Sequence, residues 1–250
     1  MSGNGERPCS LLVFDGLLGE FKTEELRGRL EKGDTREKIG AMKKIVVATA
    51  NGQMKCTPQL LLAIIRFVMP EPDRTLKKLL LLFWETVDKV EPTTGKLRPE
   101  FILACNMLMR DLSVPNEFVC GFTLRLLTHI REAEIVEPLV ASVRAALENK
   151  HAFVRRNAVW TLCAMYKNFP QLVPNAPDLV YAMLDTEADN VVKRNAIFML
   201  HACAPERAAA YISAVLEQVP NMGETMQLTL VQTIVKIGRN GCTPHDRARY

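Results

Sequence analysis

The sequence has no apolar run long enough to cross a membrane. Its longest, Leu60 to Met69 and Leu79 to Trp84, are short and the first is interrupted by Arg66, whereas a span needs about 18 such residues. Nothing at the start reads as a secretory signal, because Met1 to Ser10 is polar and Leu11 to Leu18 is broken by Asp15 and Gly16. The seven cysteines include no C-x-x-C pair, and there is no N-x-S/T sequon. Cys105, Cys163 and Cys203 lie within apolar helical stripes, where a thiol packs as a small hydrophobe, and this pattern points to a reducing, cytosolic setting. The signatures G-x-x-x-x-G-K-[S/T], H-E-x-x-H and G-x-S-x-G are missing, and Gly3-x-Gly5 sits in a polar tail with no strand before it. His201 and Cys203, two apart on a helix, point different ways and do not share a metal. No catalytic residue, cofactor or metal ligand is therefore expected. A net charge of +4 is too small for the dense basic stripe of a nucleic-acid binder.

What the sequence does contain is a repeat. Its 48% hydrophobic and 24% charged composition suits a folded chain with a sizeable core. In HAFVRRNAVWTLCAMY, Val154, Ala158, Leu162 and Met165 share one helical face. DNVVKRNAIFMLH from Asp189 begins in nearly the same way, and NEFVCGFTLRLL, DRTLKKLLLLF and DTREKIGAMKKI carry the pattern backward. With Glu37, Leu76, Val119, Val154 and Val192 as equivalent positions, the steps are 39, 43, 35 and 38 residues. Steps of about 35 to 47 belong to HEAT or armadillo units of paired helices. A sixth, degenerate copy runs from Gly223 to Ile237. The spacing predicts an all-α fold, an α-solenoid of about six HEAT/armadillo-like helical pairs, with no segment reading as strand.

Turn residues divide the chain further. A short helix is predicted from Thr23 to Leu30, then helices over 34–50, 57–69, a stretch ending near Val90, and 99–112, 116–130, 135–148, 152–168, 176–184, 190–202, 205–219 and 223–238. Residues 1–32 are expected to be an N-terminal segment, partly mobile, and 33–240 the solenoid. Residues 241–250, with Thr243-Pro244 as a helix start, are expected to be the truncated beginning of another repeat in a longer trunk.

The segments LEKGDTREKIGAMKKI, LLLAIIRFVMPEPDRTLKKLLLLFWE, EAEIVEPLVASVRAALENKHAFVRRNAVWTLCAMYKNF and KRNAIFMLHA closely resemble the N-terminal trunk of the coatomer beta family, α-solenoids related to the large adaptins of clathrin adaptors. The resemblance covers nearly everything from Leu30 to Tyr250, and the first thirty residues match poorly. It implies a non-enzymatic vesicle-coat component, cytoplasmic and peripheral on Golgi membranes and on vesicles moving between Golgi and endoplasmic reticulum. The implied partners are the coatomer delta subunit, other coatomer subunits and a GTP-loaded small GTPase of the ADP-ribosylation-factor type. By the same resemblance the GTPase-facing positions are Lys77, Ile102 and Cys105, where cysteine departs from the branched aliphatic of some relatives. The alternative is another HEAT-type adaptor or transport receptor that takes peptides on its concave side.

The residues themselves also allow plainer roles. Phe101, Cys105, Leu108 and Leu112 form a core stripe that Ile102 flanks, which predicts a buried Cys105 and a half-buried Ile102. Lys77 reads as a solvated charge. The pairs Lys43-Lys44, Lys77-Lys78, Arg155-Arg156 and Lys193-Arg194 recur along the repeats, one member expected to bridge to the neighbouring repeat and the other to be solvated, or together to form a ladder facing acidic partners or anionic lipid. Asn157 and Asn195, poor helix formers inside helices, are expected to bond the preceding inter-helix loop.

Overall fold

The computed structural model describes residues 22–91 and 94–241. Of the N-terminal segment expected over 1–32, residues 1–21 lie outside the described residues, as do residues 242–250 of the repeat start expected over 241–250. In chain order the helices are α1 (Thr23–Lys32), α2 (Thr35–Ala50), α3 (Pro58–Phe67), α4 (Arg74–Thr86), α5 (Glu100–Ser113), α6 (Glu117–Leu127), α7 (Ala133–Val136), α8 (Val140–Ala146), α9 (Ala152–Asn168), α10 (Ala176–Thr186), α11 (Asn190–Cys203), α12 (Pro205–Val215) and α13 (Glu224–Gly241). With α7 and α8 acting as one member, the described helices make six pairs.

The chain forms two compact units that divide within α5, between Leu108 and Met109. In the first, α1 packs on α2 and α3, and α2 packs on α4. Leu30, Met42, Ile45, Leu60, Leu61, Ile64, Leu76 and Phe83 are fully buried there, and each such side chain contributes about 1.5–3 kcal/mol by leaving water. Trp84 sets its ring against Phe83 and Phe101. In the second unit α6 packs on α9, α9 on α11 and α11 on α13, while α8 lies on α9 and α10 and α12 lie on α11. Within each unit the second helix of a pair thus rests on the second helix of the next. A lone pair cannot bury its apolar face, so within each unit the core continues from one repeat to the next.

The repeat has a structural landmark that fixes its register. Asp34, Asp73, Asn116 and Asp189 each accept backbone N–H bonds at the start of α2, α4, α6 and α11, which satisfies donors the helix itself cannot. The positions taken as equivalent stand three residues after these caps and three after His151 in α9. Leu76, Val119, Val154 and Val192 are buried there. Glu37 is exposed and instead closes a capping box with Asp34. Met226, three after Gly223, is buried like the others, which completes the sixth copy.

Three expected helices are shorter or broken. The helix predicted over 135–148 is interrupted by a 3-10 turn at Glu137–Leu139, because Pro138 has no N–H and its ring opposes the carbonyl one turn back. α4 stops at Thr86 rather than near Val90, since Val87 is extended and buried. Beyond it Val90 pairs with Leu97, and Gly95 takes the positive φ of 67° that closes the turn. α12 ends at Val215 and passes into a 3-10 stretch holding Pro220.

Candidate interaction surface

The first half of α5 packs inward through Phe101, Ala104, Cys105 and Leu108, an i, i+3, i+4, i+7 set that uses one face of the helix. Ile102 and Leu103 fall on the other side. Ile102 is 62% exposed and Leu103 41%, so the half-buried position expected for Ile102 is corrected: its angular offset from the stripe carries it clear of the core. Asn106 and Arg110 continue the exposed side.

The other two candidates lie beneath the surface. Cys105 is 7% exposed, and burial pushes its thiol above the ordinary value. Lys77, expected to be solvated, is only 8% exposed, and its ammonium donates to the Met69 carbonyl at 2.6 Å. The structure therefore brings one of the three, Ile102, to the surface as a large apolar side chain.

Lys77 also reveals a pattern along the repeats. It stands four residues after its cap, and several side chains at that position reach carbonyls of the segment that precedes their helix. Cys120 points its Sγ to the Leu112 carbonyl, Arg155 donates to the Asn149 and Lys150 carbonyls, and Gln227 donates to those of Val219, Pro220 and Met222. Lys38 instead pairs with Glu71 in the loop of the following repeat, and Arg155 likewise reaches Glu187. The basic pair Lys43-Lys44, expected at the matching place in α2, is thus out of register. Lys38 matches Lys77, Arg155 and Lys193, and Lys43 does not.

The two asparagines act differently from expectation. Asn157 donates to the Phe153 carbonyl within its own helix at 2.7 Å, and Asn195 donates to the Arg156 carbonyl of α9 at 3.3 Å. In α9 the Arg155 guanidinium already occupies the loop carbonyls of Asn149 and Lys150. A second apolar feature was not anticipated: Leu228, Val231, Ile234 and Val235 on α13 are exposed while Met226 and Leu230 are buried. Its signal in the sequence was a helix with apolar residues on two faces. Among the described residues no cluster of three or more metal-ligating side chains forms, and no helix is long and apolar enough to cross a membrane.

Comparison with known proteins fits this arrangement. A designed armadillo repeat protein in complex with a (KR)4 peptide superposes with a TM-score of 0.55 at 14% identity, covering 87% of this chain and 99% of its own. A computationally designed armadillo repeat protein for modular peptide recognition gives 0.51 at 15% identity, covering 86% and 99%. The fold class is thus all-α, an α-solenoid of armadillo-like pairs. Coatomer subunit beta of Dictyostelium discoideum is 46% identical over 249 residues, which is 100% of this chain and 27% of the relative. The Sus scrofa protein of that name is 45% identical, over 98% of this chain and 25% of its own, and that of Drosophila melanogaster 42%, over 97% and 25%. The chain spans about a quarter of the length of these relatives. The description "Adaptin N terminal region" matches residues 19–247, and with its helical pairs and capped repeats the chain belongs to that family.

Proposed function

We propose that this chain serves as a non-enzymatic scaffold segment of a coatomer beta trunk. In this reading it is cytoplasmic and peripheral on Golgi membranes and on vesicles moving between Golgi and endoplasmic reticulum. There it assembles with the delta and other coatomer subunits and is recruited by a GTP-bound ADP-ribosylation-factor GTPase. The likeness to coatomer subunit beta along the whole chain supports the coat role. The recruitment surface rests on one observation, the exposed aliphatic pair Ile102 and Leu103 on a helix whose opposite face is packed.

An exposed aliphatic anchor of this kind fills an apolar groove on a partner. Selectivity for GTP arises on the partner's side, where the γ-phosphate orders the switch segments that form the groove. Cys105 and Lys77 contribute from below, by holding α5 and α4 in place. The test is retention of this chain on an immobilised GTPase of that class, loaded with a GTP analogue or with GDP. Binding is expected in the GTP form alone. Ile102→Asp buries an unpaired charge in the groove and is expected to weaken it by at least about tenfold, or 1.4 kcal/mol, with helicity and melting temperature unchanged. Equal retention in both nucleotide states refutes recruitment, and a folded Ile102→Asp chain that binds like the parent refutes this surface.

A further inference from the structure

The repeat packing brings together two thiols that are 40 residues apart in sequence. Cys163 lies in α9 and Cys203 is the last residue of α11, the helix that packs on α9. Their Sγ atoms are 3.8 Å apart. Cys163 is buried and Cys203 half-buried, so only the latter is open to a reagent in solution. We propose that Cys163 and Cys203 form an oxidant-sensitive dithiol site that reacts with low-molecular-weight disulfides and closes into an intramolecular bond, stapling two successive repeats.

The division of labour between the two thiols follows from their surroundings. The hydrogen bond between them keeps the shared proton on Cys163 and lowers the Cys203 thiol below its ordinary value, against the cost of burial, and Lys167 favours the thiolate. That bond and burial raise Cys163. The thiolate is the attacking species in disulfide exchange, so Cys203 attacks first. One sulfur of the small disulfide bonds to Cys203 Sγ, its own S–S bond breaks, and one small thiolate leaves. Cys163 then releases its proton to that thiolate and attacks Cys203 Sγ, breaking the mixed disulfide and expelling the second small thiolate, which takes up from solvent the proton that Cys203 gave up on ionising. The protein loses two electrons and two protons, and the small disulfide gains both. Side-chain rotation brings the sulfurs to a bonding distance of about 2.0 Å. Because α9 and α11 already pack together, the second step is intramolecular and outpaces any exchange with solvent thiols.

The experiment titrates the purified protein with mixtures of oxidised and reduced glutathione at a temperature well below unfolding. Thiols are then trapped by alkylation and the peptides mapped by mass spectrometry. Two of the seven cysteine thiols are expected to disappear together, giving a Cys163–Cys203 linked peptide, a mass lower by two hydrogens and a raised melting temperature that reductant reverses. Cys163→Ser is expected to hold a stable glutathione adduct on Cys203, because the resolving thiol is gone. Cys203→Ser is expected to leave Cys163 reduced. A glutathione adduct that persists on Cys203 of the parent chain overturns the proposal. So does a Cys163–Cys203 bond that appears only above the unfolding transition, or a Cys203→Ser chain in which Cys163 takes up glutathione as fast as the parent reacts.

Discussion

Arg155 grips Glu187 through two bonds of 2.7 Å, Nε to one carboxylate oxygen and a terminal nitrogen to the other. The same guanidinium holds the Asn149 and Lys150 carbonyls, so one side chain ties the loop before α9 to the loop before α11. The Glu187 side chain is only 3% exposed, and its remaining capacity is taken by the Asp189 N–H at 2.8 Å. Removing the arginine leaves that carboxylate buried and short of a cation. Arg155→Ala is therefore expected to lower the unfolding free energy by about 3 kcal/mol, measured by urea denaturation. The double variant with Glu187→Gln should lose less than the two single losses combined, and strict additivity would contradict the coupling.

The same pair sets an acid limit. Burial disfavours the Glu187 carboxylate, yet the Arg155 guanidinium and the Asp189 and Ala188 N–H groups outweigh it and hold its carboxyl below the ordinary value. A depressed acid stabilises the fold fully above its unfolded value of about 4.3 and loses that contribution as pH falls through the lower folded value. Parent and Glu187→Gln should therefore differ most at pH 7, begin to converge once pH falls below about 4.3, and meet only below the lower folded value. A difference that stays constant down to acid pH would rule out this assignment.

Much of this was legible in the sequence, and where reading failed the cause is geometric. Apolar periodicity placed the repeats because a helical stripe is a local pattern, and the Asx caps found at four of the helix starts satisfy a local need of the same segments. The partners of Lys77 and Arg155, each four residues after the N-cap of its helix, are loop carbonyls and, for Arg155, a carboxylate in the next repeat, and those distances are set by packing rather than by sequence spacing. Lys77 and Lys78 look alike as letters, but a shift of one residue turns the side chain by about 100°. That rotation buries the first and exposes the second. Ile102 and Phe101 divide in the same way.

Lys77 and Lys78 therefore make a controlled comparison. Lys77→Ala removes a buried ammonium from the Met69 carbonyl and leaves space under the loop, with an expected loss of about 2 kcal/mol. Lys78→Ala should stay within about 0.5 kcal/mol of the parent. Thermal melts of the two variants decide the matter, and equal stabilities would mean that the buried bond contributes nothing.

Thr161 and Asn157 separate a bond between repeats from one within a helix. Thr161 is fully buried, and its hydroxyl lies 2.7 Å from the Leu124 carbonyl of α6 and 2.8 Å from the Asn157 carbonyl of its own helix. One proton serves one of them at a time. Thr161→Val keeps the shape and removes the donor, so a loss of about 1–1.5 kcal/mol is expected. The Asn157 amide bonds only the carbonyl one turn back, a contact that competes with the helix rather than joining repeats. Asn157→Ala should cost less than Thr161→Val, and alanine's higher helix propensity offsets part of the loss. The reverse order in chemical denaturation would show that the α6–α9 contact is not held by this hydroxyl.

One close approach between α6 and α9 is made by a residue with no side chain. A Cβ built on Gly121 would overlap the Phe153 ring, and that ring is fixed by Phe118 at 5.7 Å, Phe122 at 6.4 Å and the Arg156 guanidinium at 4.7 Å. The ring cannot swing aside without breaking these contacts, so the helices must separate instead. Gly121 is in α6, where alanine would by propensity alone stabilise by about 1 kcal/mol. Overpacking costs about 1–3 kcal/mol and should win. Gly121→Ala is expected to melt lower than the parent, and adding Phe153→Leu should recover part of the loss by clearing the overlap. If Gly121→Ala instead melts higher, helix propensity has won, and α6 does not approach α9 as closely as the ring contacts require.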